Sequence, residues 1–286
     1  MISDITLGQF FPGESIIHRL DPRTKIILAI IFIVSVFLAS TPLAFLVLIL
    51  FTALMIAVST ISFKVILRGI RPIIIVLIFT AIINVFMTKG TSDPLVAFWI
   101  IEIYKEGIIR AVFMAIRVII LIIGTSTLLT YTTSPIALTD GIESLLSPLK
   151  KIGIPVHLFA MMMTIALRFI PTLVEETEKI MNAQKSRGAD FSSGGLIKRA
   201  KALIPIIIPL FVSSFKRAEE LATAMECRCY RGDKNRTKLV KLSYKLRDLL
   251  WFLLTTVFLG AIITLRVLPS RVQFETVILK ILFYVI

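Results

Sequence analysis

"IPVHLFAMMMTIALRFIPTLVEETEKIMNAQKSRGAD" (residues 154–190) begins almost as apolar as a membrane span and ends as charged as a water-facing helix. Leu158, Met162, Ile165, Phe169 and Leu173 recur at three- and four-residue steps, with Arg168, Glu175, Glu176 and Lys179 elsewhere on the surface. That spacing predicts an amphipathic α-helix, too charged to cross a bilayer, whose stripe must bury against the bilayer surface, another helix or a partner subunit. A second segment repeats the plan. Its stripe is Leu203, Ile207, Leu210, Ala218, Leu221 and Met225, with Lys216, Arg217, Glu219 and Glu220 outward. The run Met161-Met162-Met163 suits an adaptable partner surface, since thioethers repack easily, although core packing is the ordinary use of any one methionine.

The chain around these segments is a membrane protein by composition. Of its 286 residues 57% are hydrophobic, and the mean hydropathy of +0.92 lies well above that of soluble domains. A span needs roughly 20 apolar residues to cross about 30 Å of hydrocarbon. Residues 24–40, 43–60, 72–87, 108–131 and 249–265 are the candidates, with a tight turn at "STPL" (40–43). "KGTSDPLVAFWIIEIYKEG" (89–107) alternates and carries Trp99 and Tyr104, as an interfacial strand or hairpin would. The closing "VQFETVILKILFYVI" (272–286) is too short and interrupted to assign. The expected fold is all-α: about five transmembrane helices plus a cytoplasmic domain of long amphipathic helices. Its divisions are an N-terminal segment (1–23), a four-helix region (24–131), a cytoplasmic domain (132–248) and a last helix with tail (249–286).

Charge supplies the orientation. The net is +14, and residues 140–248 hold 19 Lys and Arg against 11 Asp and Glu. Basic segments between spans stay inside, so this region, "SFKVILRGIRP" (62–72) and the N-terminus read as cytoplasmic. The first 23 residues are polar, without the apolar stretch of a cleavable signal peptide. Within the spans, Arg110 and Arg117 share a helix face and are expected to snorkel to the outer interface, and Asn84 to bond a neighbouring helix. Pro135, Pro148, Pro155, Pro171, Pro205 and Pro209 are expected to punctuate the cytoplasmic helices.

Each amphipathic segment ends in an arginine between small residues: Ser186-Arg187-Gly188, and Cys227-Arg228-Cys229 followed by Tyr230-Arg231-Gly232. One copy would be ordinary helix capping and dipole complementation. Two copies 41 positions apart, each closing a striped helix, point further. Small neighbours leave the guanidinium projecting, and its planar fork grips a carboxylate bidentately. Two such arginines suggest two grooves in a dimeric or pseudo-dimeric cytosolic partner.

These residues resemble a known family, the transmembrane (T) components of energy-coupling factor transporters, the vitamin-uptake branch of the ABC transporters. The resemblance runs nearly end to end, through "FFPGESIIHRLDPRTKI" (10–26), residues 154–190 and "LIPIIIPLFVSSFKRAEELATAMECRCYRGD" (203–233). The family pattern Ala-Arg-Gly closes each coupling helix. Here Ser186 replaces Ala, and Cys227 and Cys229 flank Arg228, which leaves Gly232 as an alternative terminator. The resemblance implies a non-catalytic scaffold in the cell membrane. It would join two cytosolic ABC ATPases (EcfA and EcfA' type, expected as a heterodimer) to a small vitamin-binding membrane protein, the S component. It makes Ser186, Arg187, Gly188, Cys227, Arg228 and Cys229 the ATPase-docking residues. Met162, Ile165, Phe169, Leu173, Leu210 and Leu221 become the S-component face. ATP and Mg would be used by the partner ATPases, with no cofactor or metal held by this chain. An ion contact of this kind, desolvated, is worth about 2–5 kcal/mol when one side is truncated. A T component dedicated to cobalt, nickel or biotin is the alternative within the family.

Other classes fit less well. A membrane-embedded enzyme needs convergent acid, base or nucleophile. The only histidines, His18 and His157, read as surface or capping residues, and Glu175, Glu176 and Glu178 form no ligand spacing with them. No G-x-x-x-x-G-K-[ST] occurs, so the chain is not expected to hydrolyse ATP. The first four spans are almost free of acids, against a proton-coupled transporter. Nothing beyond basic charge supports binding to nucleic acid. The two cysteines, two positions apart, suit neither a disulfide framework nor a metal site.

Overall fold

The computed structural model describes residues 10–88, 96–98, 101–191, 195–232 and 242–267. The described residues divide into two compact units, one of 10–134 with 242–267 and the other from Pro135 onward to Gly232.

In the first unit the first two helices begin where side chains satisfy free N–H groups. Asp21 accepts from the Arg23 N–H at 2.9 Å and Pro22, which has no N–H to leave unpaired, opens α1 (Pro22–Leu38). Thr41 and Pro42 do the same for α2 (Pro42–Ser59), the Ala44 N–H reaching Thr41 Oγ1 at 3.2 Å. The "STPL" turn is therefore a helix cap. Residues 62–72, expected only to be a basic cytoplasmic segment between spans, are largely helical. They form α3 (Phe63–Ile70) and a single 3₁₀ turn (Arg71–Ile73) that leads directly into α4 (Ile74–Met87). Pro72 tightens the chain for one turn but sits where the 3₁₀ turn starts, so the helical path survives. The expected hairpin is present as β1 (Val96–Phe98) and β2 (Ile101–Ile103), antiparallel with Val96 opposite Ile103. Next come α5 (Lys105–Thr125), ending in a π turn (Ser126–Thr130), and α9 (Leu246–Val267), which starts three residues before the expected span.

α1 packs against α5, the π turn and α9, and α2 packs against α5 and α9. Phe32, Val36, Leu48, Met55 and Ile262 are fully enclosed there, and the rings of Phe51 and Phe258 stack with centroids 4.0 Å apart. Gly124 of α5 lies against the Phe32 ring so closely that an added Cβ would overlap it. Small residues allow such approach, and dispersion then holds helices together where lipid offers no hydrophobic drive.

Three polar side chains tie this unit together. Lys25, 1% exposed, donates from Nζ to the Thr132 carbonyl at 2.7 Å, to Thr133 Oγ1 at 3.1 Å and to the His18 carbonyl at 3.2 Å. Buried Asp248 accepts from the Asp21 N–H and the Lys245 N–H, both at 2.8 Å. Arg117 corrects its expected role. Its Nη2 donates to the Ala39 carbonyl at 2.6 Å, beyond the last turn of α1, and its guanidinium lies over the Phe45 ring at 5.4 Å. An unpaired carbonyl at a helix C-terminus carries partial negative charge, which a half-buried cation beside it satisfies better than a distant interface does. Asn84 is corrected too: its Nδ2 bonds the Thr80 carbonyl of its own helix at 2.8 Å.

The second unit holds α6 (Pro135–Leu145), a 3₁₀ stretch (Ser147–Ile152), α7 (Val156–Ser186) and α8 (Leu196–Cys227). His157 is buried rather than superficial, its Nδ1 3.0 Å from Glu143 Oε1, which ties α7 to α6. Pro171, Pro205 and Pro209 lie inside helices, against the expectation that they break them. A proline removes one hydrogen bond, and the surrounding 31- and 32-residue helices each keep enough to run on.

Among the described residues five helical stretches are long and apolar enough to cross a membrane: Pro42–Ser59, Phe63–Met87, Lys105–Thr130, Val156–Ser186 and Leu246–Val267. The number matches the expectation, but the membership does not. α7 joins because its charges crowd into its second half, leaving an apolar first half with one arginine. α1, at 17 residues, stays below that length. The tail 272–286 lies outside the described residues.

Candidate functional site

α7 and α8 finish in the same backbone motif. Behind α7 the Ala189 N–H reaches the Gln184 carbonyl at 3.0 Å and the Gly188 N–H reaches the Lys185 carbonyl at 2.9 Å. Behind α8 the Tyr230 N–H reaches the Met225 carbonyl at 3.0 Å and the Cys229 N–H reaches the Glu226 carbonyl at 2.8 Å. This paired bonding is a Schellman end, and it needs the residue after the cap in the left-handed region. Gly188 stands there with φ of 85°, and Cys229 with φ of 56°. Gly232 does not replace Cys229 as terminator; the thiol-bearing residue itself takes the strained position.

In each motif the cap residue is the arginine. Arg187 and Arg228 are exposed, have near-helical dihedrals, and make no ion pair with any described residue. Ser186, Cys227 and Cys229 beside them are exposed as well, and both cysteines are free thiols. Two guanidiniums are thus held on rigid helix ends with their five donors unspent, ready for an anion.

The two helices pack against each other at a polar crossing that the sequence reading placed on the outer surface. Glu176 of α7 accepts from Arg217 Nη2 of α8 at 3.1 Å and from the Ser213 hydroxyl. The Arg217 guanidinium also lies over the Phe169 ring at 5.9 Å. Beyond the crossing, the end of α8 meets the first half of α7 in an open groove of about 610 Å³. Arg168, Arg228 and Arg231 line it, with Met161, Ile165, Leu221 and Met225 between them.

The six stripe residues expected to face the S component differ in their surroundings. Ile165 and Leu221 line this groove. Phe169 lies under Arg217, and Leu173 and Leu210 are half-buried. Met162 is exposed, beside Phe159 and Met163 on α7; α8 shows Ile207, Ile208, Phe211 and Phe215 in the same state. Sequence reasoning missed Arg168, Arg231 and the Glu176–Arg217 pair. The pair could have been found from the opposite charges that stand 41 positions apart, the spacing of the two terminal arginines.

The model of the cobalt transport protein family (CbiQ) matches residues 13–239, a stretch that contains both arginine ends. The chain belongs to the cobalt transport protein family. Relatives named "Energy-coupling factor transporter transmembrane protein EcfT" resemble it over most of their length. That of Clostridium kluyveri is 55% identical over 248 residues, covering 87% of this chain and 92% of the relative. That of Ruminiclostridium cellulolyticum is 54% identical over 266 residues, 93% and 98%. That of Bacillus subtilis is 47% identical over 249 residues, 87% and 93%. Membership in this family and the five apolar helices make the chain a multi-pass membrane component of a transporter.

Proposed function

We propose that the chain is the scaffold and coupling subunit of an energy-coupling factor transporter in the cell membrane, joining two cytosolic ATPases to a substrate-binding S component. The observation that carries this reading is the duplicated helix end: two Schellman-closed helices, each presenting an exposed and unpaired arginine, on helices that cross each other. The ATPases bind and hydrolyse ATP with Mg, and each receives one arginine, Arg187 or Arg228, in a groove bearing a carboxylate. Their closure moves the helix ends, and the crossing passes that movement to the S component, which turns to release its vitamin inside.

α7 and α8 lie along the cytoplasmic interface in this reading, although α7 is long enough to span. Arg168 stands twelve residues into α7, near the middle of the whole helix, and a charge near the bilayer centre costs about 2.5–3.5 kcal/mol or more. The exposed apolar side chains of both helices, Phe159, Met162 and Met163 with Phe211 and Phe215, then form the platform for the S component. The C. kluyveri and R. cellulolyticum relatives carry the name of an energy-coupling factor transmembrane protein, which supports the assignment.

The test is ATP-dependent vitamin uptake by the assembled complex carrying Arg187→Glu together with Arg228→Glu. Loss of uptake with the chain still in the membrane is expected, and unchanged uptake removes the proposal. The family model's description favours a second reading, a component dedicated to cobalt. Uptake of cobalt but of no vitamin by the reconstituted complex would establish it.

A further inference from the structure

We propose that Arg168 of α7 and Arg231 just beyond α8 complete, with Arg228, a composite groove that takes an acidic segment of the docked ATPase: two or more carboxylates with an apolar side chain between them. This rests on the reading of Arg228 as a docking residue and adds to it a second helix, two further arginines and the chemistry of the occupant.

The groove is built by both helices. α7 supplies Met161, Ile165 and Arg168, and α8 with its following turn supplies Leu221, Met225, Arg228 and Arg231. Three guanidiniums thus line one open hollow, and among the described residues that line it none is a carboxylate. All three arginines are exposed, and none forms an ion pair with a described residue. Like charges gathered in this way repel one another, and an anion that enters removes the repulsion while gaining bidentate hydrogen bonds. A lone phosphate or headgroup would satisfy the charge but leave the apolar floor of Met161, Ile165, Leu221 and Met225 unused. An acidic protein segment uses both, with methionine and leucine accepting its apolar side chain.

The mechanical consequence follows from where Arg168 stands. It lies eight residues before Glu176 on α7, about 12 Å along the axis. Arg228 lies eleven residues after Arg217 on α8, about 16 Å. An occupant held by Arg168 and Arg228 together therefore bridges both helices on one side of the Glu176–Arg217 contact. Its movement changes the packing of α7 on α8 directly, rather than pulling on a single helix end.

The experiment uses the whole transporter complex in detergent. Arg168→Glu and Arg231→Glu are each expected to weaken retention of the ATPases about tenfold or more at low salt, the difference from wild type shrinking as salt rises. Arg168→Lys, which keeps the charge without the planar fork, is expected to restore part of the loss. Retention at wild-type strength in Arg168→Glu, while Arg228→Glu loses the ATPases, overturns the composite groove alone. Retention in the variant carrying both Arg187→Glu and Arg228→Glu overturns the docking reading beneath it. A second measurement needs no substitution. Cys229 is a free, exposed thiol that lines the groove, whereas Cys227 lines a separate hollow with Lys216 and Glu220. Bound ATPases are expected to slow maleimide labelling of Cys229 relative to its rate in the chain without them. Labelling of Cys229 at an undiminished rate in the ATPase-bound complex overturns the proposal. So does protection by phosphatidylglycerol bicelles with no further protection by the ATPases, which would make the groove a lipid site.

Discussion

Glu176 and Arg217 pair at 3.1 Å across α7 and α8, and each stands eleven residues before the arginine that closes its helix. Eleven residues are close to three turns, so each crossing residue shares a helix face with its terminal arginine, about 16 Å away. The same positions of a duplicated motif carry opposite charges, which lets the two copies pair with each other. Removing Arg217 leaves a half-buried carboxylate with the Ser213 hydroxyl as its remaining partner. Arg217→Ala is expected to lower stability by about 1–3 kcal/mol and to reduce uptake. The double exchange Glu176→Arg with Arg217→Glu is expected to recover part of both. Thermal unfolding of the purified complex measures the first quantity, and a double exchange no better than either single change would dissociate the pair from coupling.

The left-handed residue behind α8 carries a side chain. Left-handed backbone costs a residue with Cβ about 1–2 kcal/mol that glycine does not lose. Cys229→Gly is therefore expected to stabilise the complex by about 1 kcal/mol, and Gly188→Ala to destabilise it by a similar amount. No atom of the described residues beyond its chain neighbours lies within 4 Å of a Cβ placed on Gly188, so its effect is one of backbone. Melting temperatures of the two variants, moving in opposite directions, check this.

Gly124 gives a packing prediction inside the first unit. Gly124→Ala places a methyl group into the ring of Phe32, and overpacking of this kind costs about 1–3 kcal/mol. Shortening the neighbour with Phe32→Leu is expected to rescue part of the loss, since the two side chains share one space. Independent, additive losses in the double variant would show that the clash is relieved elsewhere.

His18 sets a pH dependence. Burial lowers its imidazole below the usual value of 6.5, the Lys25 cation lowers it further, and the Phe11 carbonyl opposes the shift. The neutral ring fits its contacts: Nε2–H donates to the Phe11 carbonyl at 3.0 Å and Nδ1 accepts from the Ser15 hydroxyl at 2.6 Å. The unfolded chain therefore binds a proton at higher pH than the folded one. The stabilisation is complete above about 6.5 and is lost as pH falls through the lower folded value. His18→Gln is expected to flatten the fall in melting temperature between pH 7 and pH 5, and an unaltered slope would contradict it.

Much of the site was legible because local rules wrote it. A helix end is decided by a few neighbouring residues, so Arg187 with Gly188, and Arg228 with its small flanks, announce themselves in the chain. The stripes of the two long helices were legible for the same reason, since a period of 3.6 repeats within one segment. The β1–β2 pairing followed from alternation. Cys229 was harder, because Gly232 offered a residue better suited to positive φ. The Cys229 N–H bonds the Glu226 carbonyl and the Tyr230 N–H the Met225 carbonyl, a pairing that puts Cys229 and not Gly232 in the left-handed position behind α8.

Where partners lie far apart in sequence, local rules are silent. Arg117 looked like a snorkelling arginine until the Ala39 carbonyl, 78 positions away, stood beside it. Glu176 and Arg217 looked like outward charges, and Ile165 and Leu221 like neighbours of a vitamin-binding partner. The membrane character, the helical class, the two arginine ends and the family were determined by the sequence alone, because each rests on composition or on short runs of residues. The tertiary structure decided which charges meet and which stripe residues line the arginine groove. Those outcomes depend on how α7 packs on α8, and hydrophobic spacing within either helix says which face is apolar but not what it meets.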